Sequence, residues 1–487
     1  MRGQRTEAWA KRHLGARVVL MSFAFASCTT MHTPPDLGGL YDELAQGSDL
    51  NRNPVIVIPG VMGSTLTQRG SGSTAWGAFT GDYADPETAP GARLVSLPMR
   101  EGVPLSELVD DVYASGALDR LRLSFLGLPV GVAAYVNLLL ALGAGGYRDE
   151  SLAYSGAVDY GNDHFTCFQF AYDWRRDISE NAERLHAFIL EKQAFVEEEY
   201  RERFGPEEPE VRFDIVAHSM GGLLGRYYLR YGGSKMPEDG SLPELTWSGS
   251  EFVDKLVVVA SPSTGSADAL LNMVYGMDLG FFLPRYEAAV LGTMPGVYQL
   301  LPRPELGAVV SGDDFERRVE RALDSDYWIE KGWGLADPAQ AENLKVLLPG
   351  VESADERRRI ACEHLDKCLA RARQFFAAMD RPATPPDGLE LILAAGDSLD
   401  TPAVLAVDER GPAVWTIRSR PGDGTVSRSS ALGDQRALKT ESKEHTRLVS
   451  SVEWTRVMFF FAGHLELTRD PAFIDNLLYT LLEEPRD

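Results

Sequence analysis

Cysteine is scarce in this chain, four in 487 residues. Cys28 belongs to an unusual N-terminal stretch, so Cys167, Cys362 and Cys368 leave room for at most one disulfide within the folded part. If Cys362 and Cys368 share a helix, six residues separate them by about 9 Å of rise and put them on different faces, which excludes a bridge. The run CEHLDKC (362–368) also lacks ligand pairs at zinc-site spacing and reads as a local, solvated helix. Positive charge is scarce too. Lys and Arg number 48 against 71 Asp and Glu, a net charge of −23, and a nucleic-acid or anionic-lipid groove needs clustered cations. No internal period marks a repeat array. With 44% hydrophobic and 24% charged residues, the chain suits one large domain with an elaborate insertion, or two domains.

The first 35 residues differ in kind from the rest. Arg2, Arg5, Lys11, Arg12 and Arg17 precede VVLMSFAFAS, which runs into Cys28. A basic segment and about ten apolar residues make a secretory signal, too short to span a bilayer. The ending FASC resembles the bacterial lipobox, in which the cysteine is lipidated and becomes the new N-terminus. The expected organisation is a signal over 1–27, a tether over 28–40 and a folded domain over 41–487. An exported, membrane-anchored lipoprotein follows (outer membrane or periplasm), with a plainly secreted protein as the alternative.

Beyond the tether, short β-rich runs alternate with helical patterns, the signature of a parallel sheet with crossover helices. Strands are expected at 54–59, 165–172, 211–217, 255–261, 389–395 and 457–461, and helices at 178–204, 221–231 and the C-terminus. AVLAV and AVWTI flank DERGP as a possible hairpin. Two stretches break the rhythm, about 64–160 and about 263–388, and read as a cap and a lid inserted over the sheet. The uncharged run 125–147 is interrupted by Pro129 and several glycines and has no basic flank, so a buried cap helix from near Val130 is favoured over a membrane span. In the second insertion, ALLNMVYGMDLGFFLP reads either as core or as a greasy lid lining an acyl-chain pocket.

The chemistry concentrates in DIVAHSMGGLLGRYYLRY (214–231). A strand, a sharp turn carrying Ser219 and a helix form a nucleophile elbow, with Ala217 and Gly221 as the small neighbours that close packing requires. Attack by a serine leaves negative charge on the substrate oxygen, which backbone N–H groups must meet. Met220, after the nucleophile, supplies one, and Met62 in the glycine-bounded loop PGVMGS the other. The base and its acid should follow in chain order. His464 follows a convincing last strand and precedes the final helix, whereas His445 sits in the charged run KTESKEHTR. His218 adjoins the nucleophile, where its side chain should point away in a structural role. For the acid, Asp397 after a buried strand and Asp423 in the loop RPGDGTVS compete evenly.

Six motifs, in order over residues 54–484, resemble the lecithin:cholesterol acyltransferase family of α/β-hydrolases, including its lysosomal phospholipase and bacterial lipase-like members. They are PGVMGSTL, AYDWR (171–175), AHSMGG, ASPSTGS (260–266), GDGTV and AGHLEL. The resemblance implies an α/β-hydrolase fold, Ser219 as nucleophile, Asp423 as acid, His464 as base, and Met62 and Met220 as oxyanion donors. It implies a lipid acyl hydrolase or O-acyltransferase that needs no cofactor or metal and takes a lipid or ester substrate. Two departures stand out: ASPSTGS lacks the histidine often present in that loop, and 64–160 does not reproduce the membrane-binding subdomain of the animal enzymes. Asp173 and Arg175 are expected to form a structural ion pair beside a packed Trp174. The alternatives are a broad carboxylesterase or triacylglycerol lipase, and an inactive surface-anchored binding protein on the same fold.

Overall fold

The computed structural model describes residues 36–46, 52–77, 84–117, 120–125, 128–133, 135–205, 210–278, 284–438 and 447–483. The signal segment, Cys28 and His445 lie outside the described residues. Residues 37–487 form one compact unit.

Six strands make the central sheet: β1 (Val55–Ile58), β2 (Cys167–Gln169), β3 (Phe213–His218), β4 (Val253–Val259), β5 (Glu390–Gly396) and β6 (Arg456–Phe460). They run in the order β6-β5-β4-β3-β1-β2, and every pair is parallel. Each matches an expected strand to within three residues at either end. The runs VIVI, DIVA and LVVV carry no surface alternation because both faces of a parallel sheet are covered. Successive side chains therefore enter two different cores. Ile56, Ile58, Ile215, Ala217, Leu256 and Val258 join one. Val55, Val57, Val216, Val257 and Val259 join the other.

The first core is covered by three long helices: α2 (Ile178–Phe204), α3 (Met220–Tyr231) and α4 (Ala354–Asp380). Over the second lie the C-terminal helix α5 (Pro471–Leu482), the helix Val136–Ala144 and Tyr41 of α1 (Leu37–Gln46). Helix α1 begins inside the segment expected to be tether. Its Tyr41 hydroxyl bonds Asp475 of α5 at 3.0 Å, which fixes the folded chain from Leu37 onward.

Three further expectations need correction. The cap run 125–147 is not one helix from Val130. Residues Arg120–Phe125 and Leu128–Ala133 pair as an antiparallel hairpin, and the helix starts only at Val136. Pro129 and Gly131 disfavour a helix there. Among the described residues no helix is long and apolar enough to cross a membrane. CEHLDKC is helical but not solvated: His364, Leu365 and Cys368 of α4 are buried, the His364 Nε2 meeting the Thr293 carbonyl at 3.1 Å, and both cysteines are free thiols. The lid region is also more than a lid, since its strand Val309–Ser311 pairs in parallel with Leu399–Val407, the first strand of the hairpin that leads to Asp423.

Candidate active site

At the end of β3 the chain turns through Ser219, whose φ of 53° and ψ of −123° are rare for a residue with a side chain. Such a conformation costs roughly 1–3 kcal/mol and persists only where the surroundings impose it. Here they do. The Ser219 N–H donates to the Val259 carbonyl at 2.8 Å, and the Ser219 carbonyl accepts from Gly222 N at 3.0 Å and from the Ser261 hydroxyl. A Cβ at Gly221 would lie 2.5 Å from the Pro59 carbonyl oxygen, so only glycine lets α3 start so near β1. Ala217, fully buried in β3, faces Gly225 across the strand–helix contact, and its methyl is accommodated there.

The Ser219 Oγ stands 3.0 Å from His464 Nε2, and His464 Nδ1 stands 2.8 Å from Asp423 Oδ2. The other carboxylate oxygen of Asp423 accepts the N–H groups of Thr425 at 2.9 Å and Val426 at 2.6 Å. Asp423 is 3% exposed and Ser219 5%. With both carboxylate oxygens engaged, the imidazole is held with Nδ1–H toward Asp423 and its Nε2 lone pair toward the serine hydroxyl. Asp397, the competing acid, instead forms an ion pair with Arg428 at 2.6 Å.

The loop Gly60–Gly63 closes over the elbow as a tight turn, Gly63 N to Gly60 O at 3.0 Å, with Met62 at φ 61°. The Trp76 indole N–H pins the Met62 carbonyl at 2.7 Å. A Cβ at Gly60 would meet the Ser219 Cβ at 2.8 Å, so the loop and Ser219 are in contact. Met220 opens α3, whose N-terminal N–H groups and dipole favour negative charge beside Ser219.

His218 does not point away from this cluster. Its ring packs on His464 with centroids 4.8 Å apart, its Nε2 donates to the His464 carbonyl at 3.0 Å, and its Nδ1 meets the Tyr135 hydroxyl at 2.9 Å. Tyr135 in turn accepts the Gly60 N–H at 2.9 Å. A buried line of hydrogen bonds thus runs from the Gly60–Gly63 loop through Tyr135 and His218 to the backbone of His464. Burial, reinforced by the neighbouring imidazole, pushes His218 down to about 3, so it is neutral and fixed in one tautomer. Sequence reasoning missed Tyr135, which sits before the cap helix with no motif around it.

Residues 155–324 match the lecithin:cholesterol acyltransferase family. The matched segment contains Ser219 and the following loop and ends before Asp423 and His464. No curated protein matches the chain. Among solved structures, the Tle4–Tli4 complex overlaps 88% of this chain and 98% of its own at 15% identity, with a TM-score of 0.54. Lipase 1 from Pelosinus fermentans overlaps 90% and 100% at 13% identity, with a TM-score of 0.33. The fold is that of the α/β-hydrolases.

Within the segment matching the acyltransferase family, the loop ASPSTGS braces the site. Ser261 bonds the Ser219 carbonyl, Ser263 the Ala431 carbonyl at 3.1 Å, and Ser266 the Thr425 carbonyl at 2.7 Å. The elbow and the Asp423 loop are therefore tied through hydroxyls rather than through a histidine. Trp174 is fully buried edge-on to Trp76, and Arg175 grips Asp173 at 2.8 Å and Asp110 at 2.9 Å, the structural ion pair expected from AYDWR. Asp268, in the first turn of the helix Ala267–Tyr275, had no sequence signal. Burial, then the Asp423 carboxylate, raises it to about 6, with His464 acting in the opposite sense. Among the described residues no group of three or more His, Cys, Asp or Glu is placed to hold a metal ion.

Proposed function

We propose that the protein is a serine-dependent lipid acyl hydrolase or O-acyltransferase. The observation that carries this reading is the unbroken line Asp423–His464–Ser219 at hydrogen-bonding distance, placed at a strained elbow within a segment that matches an acyltransferase family. In the mechanism that follows, His464 Nε2 takes the Ser219 proton as Oγ attacks the ester carbonyl, and Asp423 stabilises the imidazolium. Backbone N–H groups of Met62 and Met220 receive the oxyanion. Collapse of the intermediate breaks the ester C–O bond, His464 returns the proton to the leaving alcohol, and Ser219 holds the acyl group. Water or a lipid alcohol then attacks, activated by the same imidazole. Hydrolysis and transfer share this machinery and differ in the acceptor that reaches the acyl-serine.

Export and membrane anchoring through a lipidated Cys28 belong to the same proposal and rest on the N-terminal sequence. They place the enzyme beside lipid esters. The test is Ser219→Ala in a protein lacking the signal, assayed on chromogenic esters of several chain lengths and on phospholipid. The variant is expected to fall below about 1% of wild-type turnover, and activity above that level in a folded variant overturns the assignment. Activity confined to short soluble esters would replace the lipid reading with a carboxylesterase.

A further inference from the structure

A second concentration of functional groups lies at the opposite edge of the sheet. Ser219 follows the C-terminal end of β3, whereas Arg52 precedes β1 and Arg148, His164 and Thr166 precede β2, at the N-terminal ends of the parallel strands. Together with Arg203 in the last turn of α2 and the end of α1, these residues line a cavity of about 160 Å3. In a chain of net charge −23, most buried arginines are matched by acids, as Arg175 is by Asp173 and Arg371 by Asp177. The cavity is different.

Arg52 bonds the Gly145 carbonyl and lies 4.0 Å over the Tyr147 ring. Arg148 bonds the carbonyls of Tyr160 at 2.6 Å and Asn162 at 3.1 Å. Neutral oxygens and aromatic faces thus hold both guanidinium groups in place, and among the described residues neither has a carboxylate at ion-pair distance. Among the described residues, Glu199, 3.4 Å from Arg203 and 3.7 Å from His164, is the acid paired with the cluster. A guanidinium offers five N–H donors, and Nη1 of Arg52 and of Arg148 makes no hydrogen bond among the described residues. The positive charges act against one another: burial and then Arg203 lower Arg148, while burial, Arg203 and Arg148 push His164 down to about 4. An anion in the cavity would turn that mutual repulsion into attraction.

We propose that the cavity bounded by Arg52, Arg148, His164, Thr166 and Arg203 binds a tetrahedral oxyanion of the phosphate class, either free or as the phosphate of a lipid headgroup. Planar guanidinium forks suit phosphate oxygens, and the volume admits one such group without an acyl chain. This inference is independent of the catalytic assignment.

The experiment is calorimetric titration of the folded protein with inorganic phosphate at matched ionic strength against chloride. In parallel, co-sedimentation is measured with vesicles of phosphatidylglycerol and of phosphatidylcholine, with and without phosphate as competitor. Saturable phosphate binding is expected, weakened at least about tenfold, or about 1.4 kcal/mol, by Arg148→Gln. Arg148→Gln also removes two carbonyl contacts and could perturb the fold, so Arg203→Gln, whose side chain is partly exposed, provides the second variant. Arg420→Gln, an exposed arginine on the hairpin before Asp423, is the control and should bind as wild type. Phosphate-competed binding to the anionic vesicles that both cavity variants lose identifies the headgroup form; phosphate binding without vesicle selectivity identifies the free anion. No saturable binding, or binding that survives both cavity variants, overturns the proposal.

Discussion

Replacing Tyr135 by Phe removes one oxygen and disconnects two parts of the site. The hydroxyl is buried, accepts the Gly60 N–H at 2.9 Å and bonds His218 Nδ1 at 2.9 Å. The phenylalanine ring fills the same space, so the cost comes from two buried groups left unpaired, at roughly 1–3 kcal/mol each. A combined destabilisation of about 3 kcal/mol is expected after partial relaxation. For a folded unit of this length the unfolding entropy near the midpoint is on the order of 1 kcal/mol per degree, so Tm should fall by about 3 °C. The functional effect separates from stability because one end of the line is the loop proposed to receive the oxyanion and the other is the His464 backbone. Loss of one well-placed oxyanion donor typically costs about 100-fold or more in kcat, and a loosened one a fraction of that. A fall in kcat of about ten-fold with little change in KM is therefore expected for a soluble chromogenic ester at 25 °C, far below the transition. A variant with wild-type kcat, or one whose loss appears only in KM, would refute the idea that Tyr135 and His218 hold the two catalytic segments in register.

Other perturbations test separate parts of the account. Asp423→Asn keeps the loop but removes the charge that stabilises the imidazolium and fixes its tautomer, and kcat should drop by about 10⁴, measured with the same ester. Asp268 is raised to about 6, so it is uncharged below about pH 5 and a carboxylate at pH 8. Only its ionised form favours the imidazolium that forms as Ser219 loses its proton. Asp268→Asn should thus match wild type at pH 5 and fall about three- to ten-fold, roughly 1 kcal/mol, by pH 8; a constant ratio across that range contradicts the assignment. The same raised value means that the folded state loses stability as pH rises from the ordinary carboxylate range through about 6, a loss that thermal melts of Asp268→Asn should lack. Arg175→Met strands Asp173 as a buried charge, and chemical denaturation should show a loss of about 3–5 kcal/mol.

Much of the fold was legible because the strands of a parallel sheet are short, uninterrupted apolar runs, β-branched in VIVI and LVVV and aromatic in FTCFQFAY and VMFFF. The nucleophile elbow was equally legible, since strand, small residues and helix are contiguous in sequence. The cap was not. Residues 125–147 are uncharged and mostly apolar, and periodicity alone does not divide such a run into a hairpin and a helix. The run CEHLDKC within α4 read as solvated because its charged residues are local in sequence while the surface that buries His364 and Cys368 is distant. Asp397 and Asp423 were evenly matched on fold logic. What separates them is the 2.8 Å contact of Asp423 with His464 and the ion pair of Asp397 with Arg428, both made by residues far away in the chain. Tyr135, Asp268 and the arginine-lined cavity carry no local motif, since each owes its character to burial and to neighbours brought in by the fold.

The central claim is that Ser219 carries the acyl group during turnover. Acid-quenched protein caught while turning over a chromogenic ester, digested and read by mass spectrometry, tests it directly. The peptide containing Ser219 should gain the mass of the acyl group in wild type, and the adduct should be absent from Ser219→Ala and His464→Ala. An acyl adduct on another residue, or steady turnover with Ser219 unmodified and no labelling by a fluorophosphonate, would contradict it.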